Sequence, residues 1–159
     1  MTDQDLLITR IFNAPRNLVW QAWTEPEQVK RWQGPKGFII PEAKVDLRVG
    51  GTSLLCMRSP DGKDYWSTGT YREIVEMEKI VETDSFADEK GNEVPASYYG
   101  MEGDWPDNLL VTVTFEDTEK DKTLFTLRHS GLPTNDIREQ TGISWNEILN
   151  KLAVMLAGD

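Results

Sequence analysis

Leu110-Val-Thr-Val-Thr-Phe-Glu116, Thr123-Leu-Phe-Thr-Leu-Arg-His-Ser130 and the run Asp136–Leu156 are the parts of the chain that decide its fold. In the first two, Val111, Val113 and Phe115 alternate with polar residues, as do Phe125, Leu127 and His129, which is the period of strands with one buried face. In the third, Trp145, Ile148, Leu149, Leu152, Met155 and Leu156 recur at helical spacing and form one apolar stripe. A sheet with one apolar face followed by a helix with one apolar stripe predicts a layered α+β core. A long helix laid across a curved sheet also leaves room for a cavity between the two layers.

Upstream, Leu6–Phe12 reads as a strand, and Asn13-Ala-Pro15 turns the chain into a short helix with Leu18, Val19, Ala22 and Trp23 on its apolar face. Thr24 with Glu27 forms a capping-box pattern, and Pro26 suits the first turn of a second short helix ending near Trp32. Strands follow at Glu42–Leu47, Thr52–Arg58, Ser67–Val75 and Lys79–Phe86, punctuated by Gly50-Gly51 and by Pro60-Asp61-Gly62-Lys63. Ala87–Asn108, with Tyr98, Tyr99, Met101 and Trp105, has no clear period and reads as a lid or a disordered insertion. Gly142 weakens the last helix, and Ser144 with Glu147 would allow it to restart there.

The chain has 159 residues, within the range of one domain, and residues 1–159 are taken as such. Its net charge is −10, which disfavours nucleic acid and anionic membranes as partners. No apolar run is long enough to span a membrane, and the first residues lack a signal-peptide pattern. The single cysteine, Cys56, has no internal disulfide partner, and these features together point to the cytoplasm. No metal-ligand cluster, phosphate-binding loop or nucleophile triad stands out, so neither a metal nor a cofactor is expected.

One series of motifs is more specific. Arg10-Ile-Phe-Asn-Ala-Pro15, Ala22-Trp-Thr-Glu-Pro26, Trp32-Gln-Gly-Pro35, Asp46-Leu-Arg-Val-Gly-Gly51, Pro60-Asp-Gly62, Gly69-Thr-Tyr71-Arg-Glu73, His129-Ser-Gly-Leu-Pro133 and Trp145 follow one another in order. Together they resemble the AHSA1-like family (activator of Hsp90 ATPase homologue 1-like) of the START-like, Bet v 1-type superfamily, over nearly the whole chain. The resemblance implies a helix-grip fold, a curved antiparallel sheet around the C-terminal helix with two short helices at one end. It also implies an apolar cavity, since relatives in the superfamily enclose lipids, sterols, polyketides or aromatic molecules. Gln33 departs from the tryptophan often found there in the family and makes that end more polar.

Strand parity and the resemblance give the expected cavity set: Trp32, Phe38, Ser53, Leu55, Met57, Trp66, Tyr71, His129, Trp145 and Leu149. Trp32, Phe38 and Trp66 are expected near the mouth. His129 reads as an acid–base group or ligand anchor, or else as a core histidine bonded to a backbone carbonyl. Arg10 and Glu73, if both point inward, would form a buried ion pair. Cys56 faces away from Ser53, Leu55 and Met57 and has no neighbouring base in sequence. The reading that follows is a small soluble domain binding a hydrophobic or aromatic molecule without assigned catalysis. The alternatives are a chaperone-directed interaction module, with a chaperone or a second copy as partner, and a cyclase- or lyase-type enzyme using the cavity.

Overall fold

The computed structural model describes residues 5–101 and 109–158. The elements run β1 (Leu6–Phe12), α1 (Arg16–Thr24), α2 (Pro26–Trp32), β2 (Ile39–Val45), β3 (Thr52–Arg58), β4 (Asp64–Val75), β5 (Lys79–Ala87), β6 (Leu109–Asp117), β7 (Thr123–Ser130) and α3 (Asn135–Leu156). All seven strands join one curled antiparallel sheet in the order β1-β7-β6-β5-β4-β3-β2. This is the α+β helix-grip arrangement, with α3 held against the concave face and α1 and α2 closing one end.

Alternation decides which face is buried. Val111, Val113 and Phe115 on β6 and Phe125, Leu127 and His129 on β7 are all buried. The five apolar ones meet Ile148, Leu149 and Leu152 of α3, together with Trp20, Trp23 and Trp32 from α1 and α2. Trp23 packs between Trp32, at 4.8 Å, and Phe125, at 5.2 Å between ring centroids. Trp32 donates its indole N–H to the carbonyl of Ala22 at 2.8 Å, so its one polar atom is satisfied inside the core.

The long helix is continuous. Thr134 caps it by accepting from the N–H of Ile137, and no break occurs at Ser144. Glu147 instead accepts from the N–H of Lys36, while Lys151 donates to the carbonyls of Pro35 and Phe38, so α3 holds the loop between α2 and β2. Gly142 is the point of close approach: a Cβ there would stand 3.2 Å from Leu6 Cδ1 on β1. The glycine costs helix propensity and lets helix and edge strand approach.

Several sequence expectations need correcting. Thr24 does not cap α2; its hydroxyl donates to the carbonyl of Trp20 one turn back, a competing local bond open to threonine. The segment after β5 is not a disordered insertion as far as residue 101. Asp88 organises a turn by accepting from the N–H groups of Lys90 and Asn92, and a short 3₁₀ helix, Ala96–Tyr99, follows. The Tyr99 hydroxyl accepts from the N–H of Trp66 and donates to the carbonyl of Ala87, which pins the segment to β4 and β5. Trp105 and Asn108 lie outside the described residues.

Candidate functional site

A cavity of about 610 Å³ opens between the sheet and the N-terminal half of α3. Its lining includes Ser53, Leu55, Met57, Tyr71, His129 and Trp145. Residues of the opposite strand parity, among them Leu54, Thr68, Thr83 and Ser85, also border it. The space therefore reaches around the backbone of β3–β5, and the part enclosed between sheet and helix is smaller than the whole.

Trp32, Phe38, Trp66 and Leu149 are not in the lining. Trp32 and Leu149 are fully buried in the packed core. Phe38 is half-buried and faces Tyr65 at 6.4 Å. Trp66 pairs across the sheet with Cys56 and Ala87, on the parity opposite to Ser67 and Tyr71.

The proposed ion pair of Arg10 and Glu73 does not form. Arg10 donates to the backbone carbonyl and side-chain oxygen of Asn146, at 3.2 and 3.1 Å, and Glu73 lies 3.5 Å from Lys79. Two facts of topology explain this. β1 and β4 are separated by β7, β6 and β5. A β-bulge after Tyr71 shifts the register, so that Tyr71 faces Glu82 but Glu73 faces Val81. The extra residue turns Glu73 to the outer face.

Tyr71, Glu82, Val111 and His129 form one transverse row across β4, β5, β6 and β7. Cross-strand partners point to the same side, so the row places a phenol, a carboxyl and an imidazole along the cavity. Asp84, two residues beyond Glu82, joins them on the same face of β5. Sequence reasoning missed both acids, although Ile80, Glu82, Asp84 and Phe86 share one parity and Ile80 marks it as inward.

Glu82 accepts from the Ser53 hydroxyl at 3.2 Å. Gly69 leaves space for this carboxyl, since a Cβ there would stand 2.2 Å from the Thr83 carbonyl oxygen and 2.8 Å from Glu82 Oε2. What remains exposed of Glu82 faces the cavity, walled by protein. Burial first, and then the charge of Asp84, push its carboxyl up to about 7. Burial, reinforced by the charge of Glu82, likewise raises the Tyr71 phenol above its ordinary value.

His129 is 4% exposed. Its Nδ1 accepts from the indole N–H of Trp145 at 3.1 Å. That bond requires a lone pair on Nδ1 and so puts the proton of the neutral ring on Nε2. Nε2 lies 3.2 Å from Asp84 Oδ2, yet it has no hydrogen-bond partner, because distance without alignment is not enough. The partner of His129 is thus a tryptophan side chain rather than the backbone carbonyl expected of a core histidine. Trp145 itself stacks on Trp23 at 6.2 Å and 15° between planes, which joins the cavity wall to the core.

Cys56 faces the other side and is buried; burial and the nearby Asp64 raise its thiol to about 11, far from a reactive thiolate. Among the described residues no group of three or more metal-ligating side chains comes together, and no helix is long and apolar enough to cross a membrane.

A curled antiparallel sheet gripping a C-terminal helix over a partly hollow interior defines the helix-grip class. Within it, residues 13–157 match the model of the family described as activator of Hsp90 ATPase homolog 1-like protein, and the chain belongs to that family. Solved structures share the fold at low sequence identity. A Nitrosomonas europaea protein is 24% identical, with 96% of this chain and 94% of that one covered at a TM-score of 0.77. A Chromobacterium violaceum protein is 24% identical with 99% of each chain covered, TM-score 0.79. The AHSA1 protein of Silicibacter pomeroyi is 19% identical, covering 96% and 97%, TM-score 0.78. The comparison with curated proteins gave no match.

Proposed function

We propose that this protein is a binding module that encloses a small hydrophobic or aromatic molecule between its sheet and the first half of α3. The observation that carries this reading is the cavity itself, about 610 Å³ in all, with Leu55, Met57, Val111 and Trp145 in its wall and polar groups contributed by both the sheet and α3. An enclosed part of that space with this mixture suits a small organic ligand, with apolar area for affinity and polar groups for orientation. Met57 suits such a wall because its thioether chain adapts to different shapes. The single buried thiol and the acidic surface fit a cytoplasmic protein.

An enzyme using His129 as general base is less well supported, because Nδ1 already accepts from Trp145. A chaperone-directed role has the family's description in its favour and no described surface feature of its own.

Native mass spectrometry of freshly purified protein, followed by titration with a neutral solvatochromic dye such as Nile red, tests the proposal. The expected result is a retained small molecule, or saturable uptake of one dye per chain with a blue shift in dye emission. Ligand-free protein that leaves dye emission unchanged would remove the binding reading.

A further inference from the structure

The two edges of the sheet are finished differently. β2 carries Pro41, which has no N–H to offer, a register shift between Ile39 and Glu42, and the charged Glu42 and Lys44. These are devices by which an edge strand avoids pairing with another chain. β1 is plain by comparison. It runs in unbroken register against β7 from Leu6 to Phe12, and it holds no proline and no acid. Its one charge, Arg10, is turned onto Asn146. Among the described residues no strand lies on the other side of β1. Hydrogen-bond alternation locates the free backbone of that edge. The N–H of Thr118 donates to the carbonyl of Lys122, so even-numbered residues of β7 bond to β6 and odd-numbered ones to β1. The N–H of Phe115 donates to the carbonyl of Glu78 on the β5 side, in agreement. Phe125 and Leu127 therefore take Arg10 and Ile8, and the N–H and C=O groups of Leu7, Thr9 and Ile11 point away from the sheet. The side chains of the same residues are exposed on the outer face, Leu7 by 53% and Ile11 by 59%.

We propose that β1 pairs with β1 of a second copy of this chain, antiparallel about a two-fold axis at Thr9, so that two sheets join edge to edge. The strand is self-complementary in that register. Leu7 of each copy faces Ile11 of the other, Thr9 faces Thr9, and these residues exchange the hydrogen bonds that each edge leaves open. Ile11 already neighbours Leu124 of β7, so Leu124, Ile11 and Leu7 of the second copy form an apolar row, repeated by symmetry. The threonine pair at the axis is a favourable cross-strand pair as well. Charge selects this edge among the possible contacts. Each copy carries −10, and two copies repel wherever their acids meet. β1 holds no acid, and Asp5 beside it is paired with Arg128. Self-complementarity is what favours a second copy over an unrelated extended peptide at the same edge. A strand of 7 residues buries less than a standard interface, so the dimer forms and dissociates with concentration.

Sedimentation velocity on the intact protein, from micromolar to millimolar concentration at physiological salt, tests this. The expected result is a reversible monomer–dimer equilibrium. Thr9→Pro removes an outward N–H and spares the ladder between β1 and β7, a position where an edge strand accepts proline. It should weaken dimerisation about tenfold, because the Thr9 pair loses the bonds it exchanges. Ile11→Lys, a change at an exposed side chain, should weaken it about tenfold as well by putting a charge on the edge. Ile39→Lys, equally exposed at 59% but on β2, should leave the equilibrium within about twofold. Circular dichroism checks the folding of each variant, and Ile11→Lys carries the test if Thr9→Pro does not fold. A chain that stays monomeric up to millimolar concentration overturns the proposal. So does a dimer that Ile11→Lys leaves unchanged, or one that Ile39→Lys weakens as much.

Discussion

The two halves of α3 face the same sheet and meet opposite conditions. In the C-terminal half, Leu149 and Leu152 are fully buried in a packed core with Phe115, Phe125 and the tryptophans of α1 and α2. In the N-terminal half, Ile137, Gln140, Thr141 and Ser144 border open space, whose lining across the sheet includes Glu82 and Asp84. Ile148 touches both, buried in the core cluster and bordering the cavity. One half of the helix packs into the core, while the other borders the cavity, where Glu82 is held with a raised pKa. Where a protein keeps groups that cost it stability, binding is the physical reason to look for first.

The largest expected contrast is in packing. Leu152→Ala should destabilise the protein by about 2–5 kcal/mol in denaturant unfolding, because it empties a filled site. Thr141→Ala, at the hollow end, should stay within about 0.5 kcal/mol. Equal costs at the two positions would mean that both halves are packed alike.

The next contrast is electrostatic, and its sign is opposite to that of an ordinary salt-bridged acid. The carboxyl of Glu82 has a folded pKa of about 7, above its unfolded value of 4.5, so between those values the folded state binds the extra proton. Its stabilising contribution is present at low pH and lost as pH rises through about 7. Glu82→Gln should therefore stabilise the ligand-free protein at pH 8, by on the order of 3 kcal/mol at most, and change it little at pH 4.5. Destabilisation by Glu82→Gln at pH 8 would show that the acid is already well partnered.

A smaller effect is expected at the boundary between the halves. Trp145→Phe keeps the ring stack on Trp23 and removes the N–H that His129 Nδ1 accepts. It should cost about 1 kcal/mol. It should also release the imidazole from a single tautomer, visible as averaging of the ring nitrogen shifts in NMR. Unchanged shifts would mean that something other than Trp145 holds the proton on Nε2.

The packed half was far more legible in the sequence than the hollow one, for physical reasons. Core residues repeat with the period of their element, so alternation in β6 and β7 and the stripe of α3 marked the buried faces directly. Cavity residues obey no such rule, because they include polar groups such as Ser144, Gln140 and Glu82 that look like surface. Parity along β5 did carry the signal for Glu82 and Asp84, through the face they share with buried Ile80. The Arg10–Glu73 pairing failed because strand order and a bulge are long-range properties that parity within one strand does not contain. Trp32 failed as a mouth residue because a tryptophan whose N–H finds a carbonyl can sit fully inside.

The most direct test of the hollow half is to fill it. Met57 borders the cavity from β3, and Met57→Trp adds volume there. Stability by chemical denaturation and Nile red uptake should be measured on the same preparation. Dye uptake should be lost while stability stays within about 1 kcal/mol of the parent, since a true void accepts volume that a packed core rejects. A loss of about 3 kcal/mol, the usual upper end of overpacking, would contradict it by showing that the space is already filled.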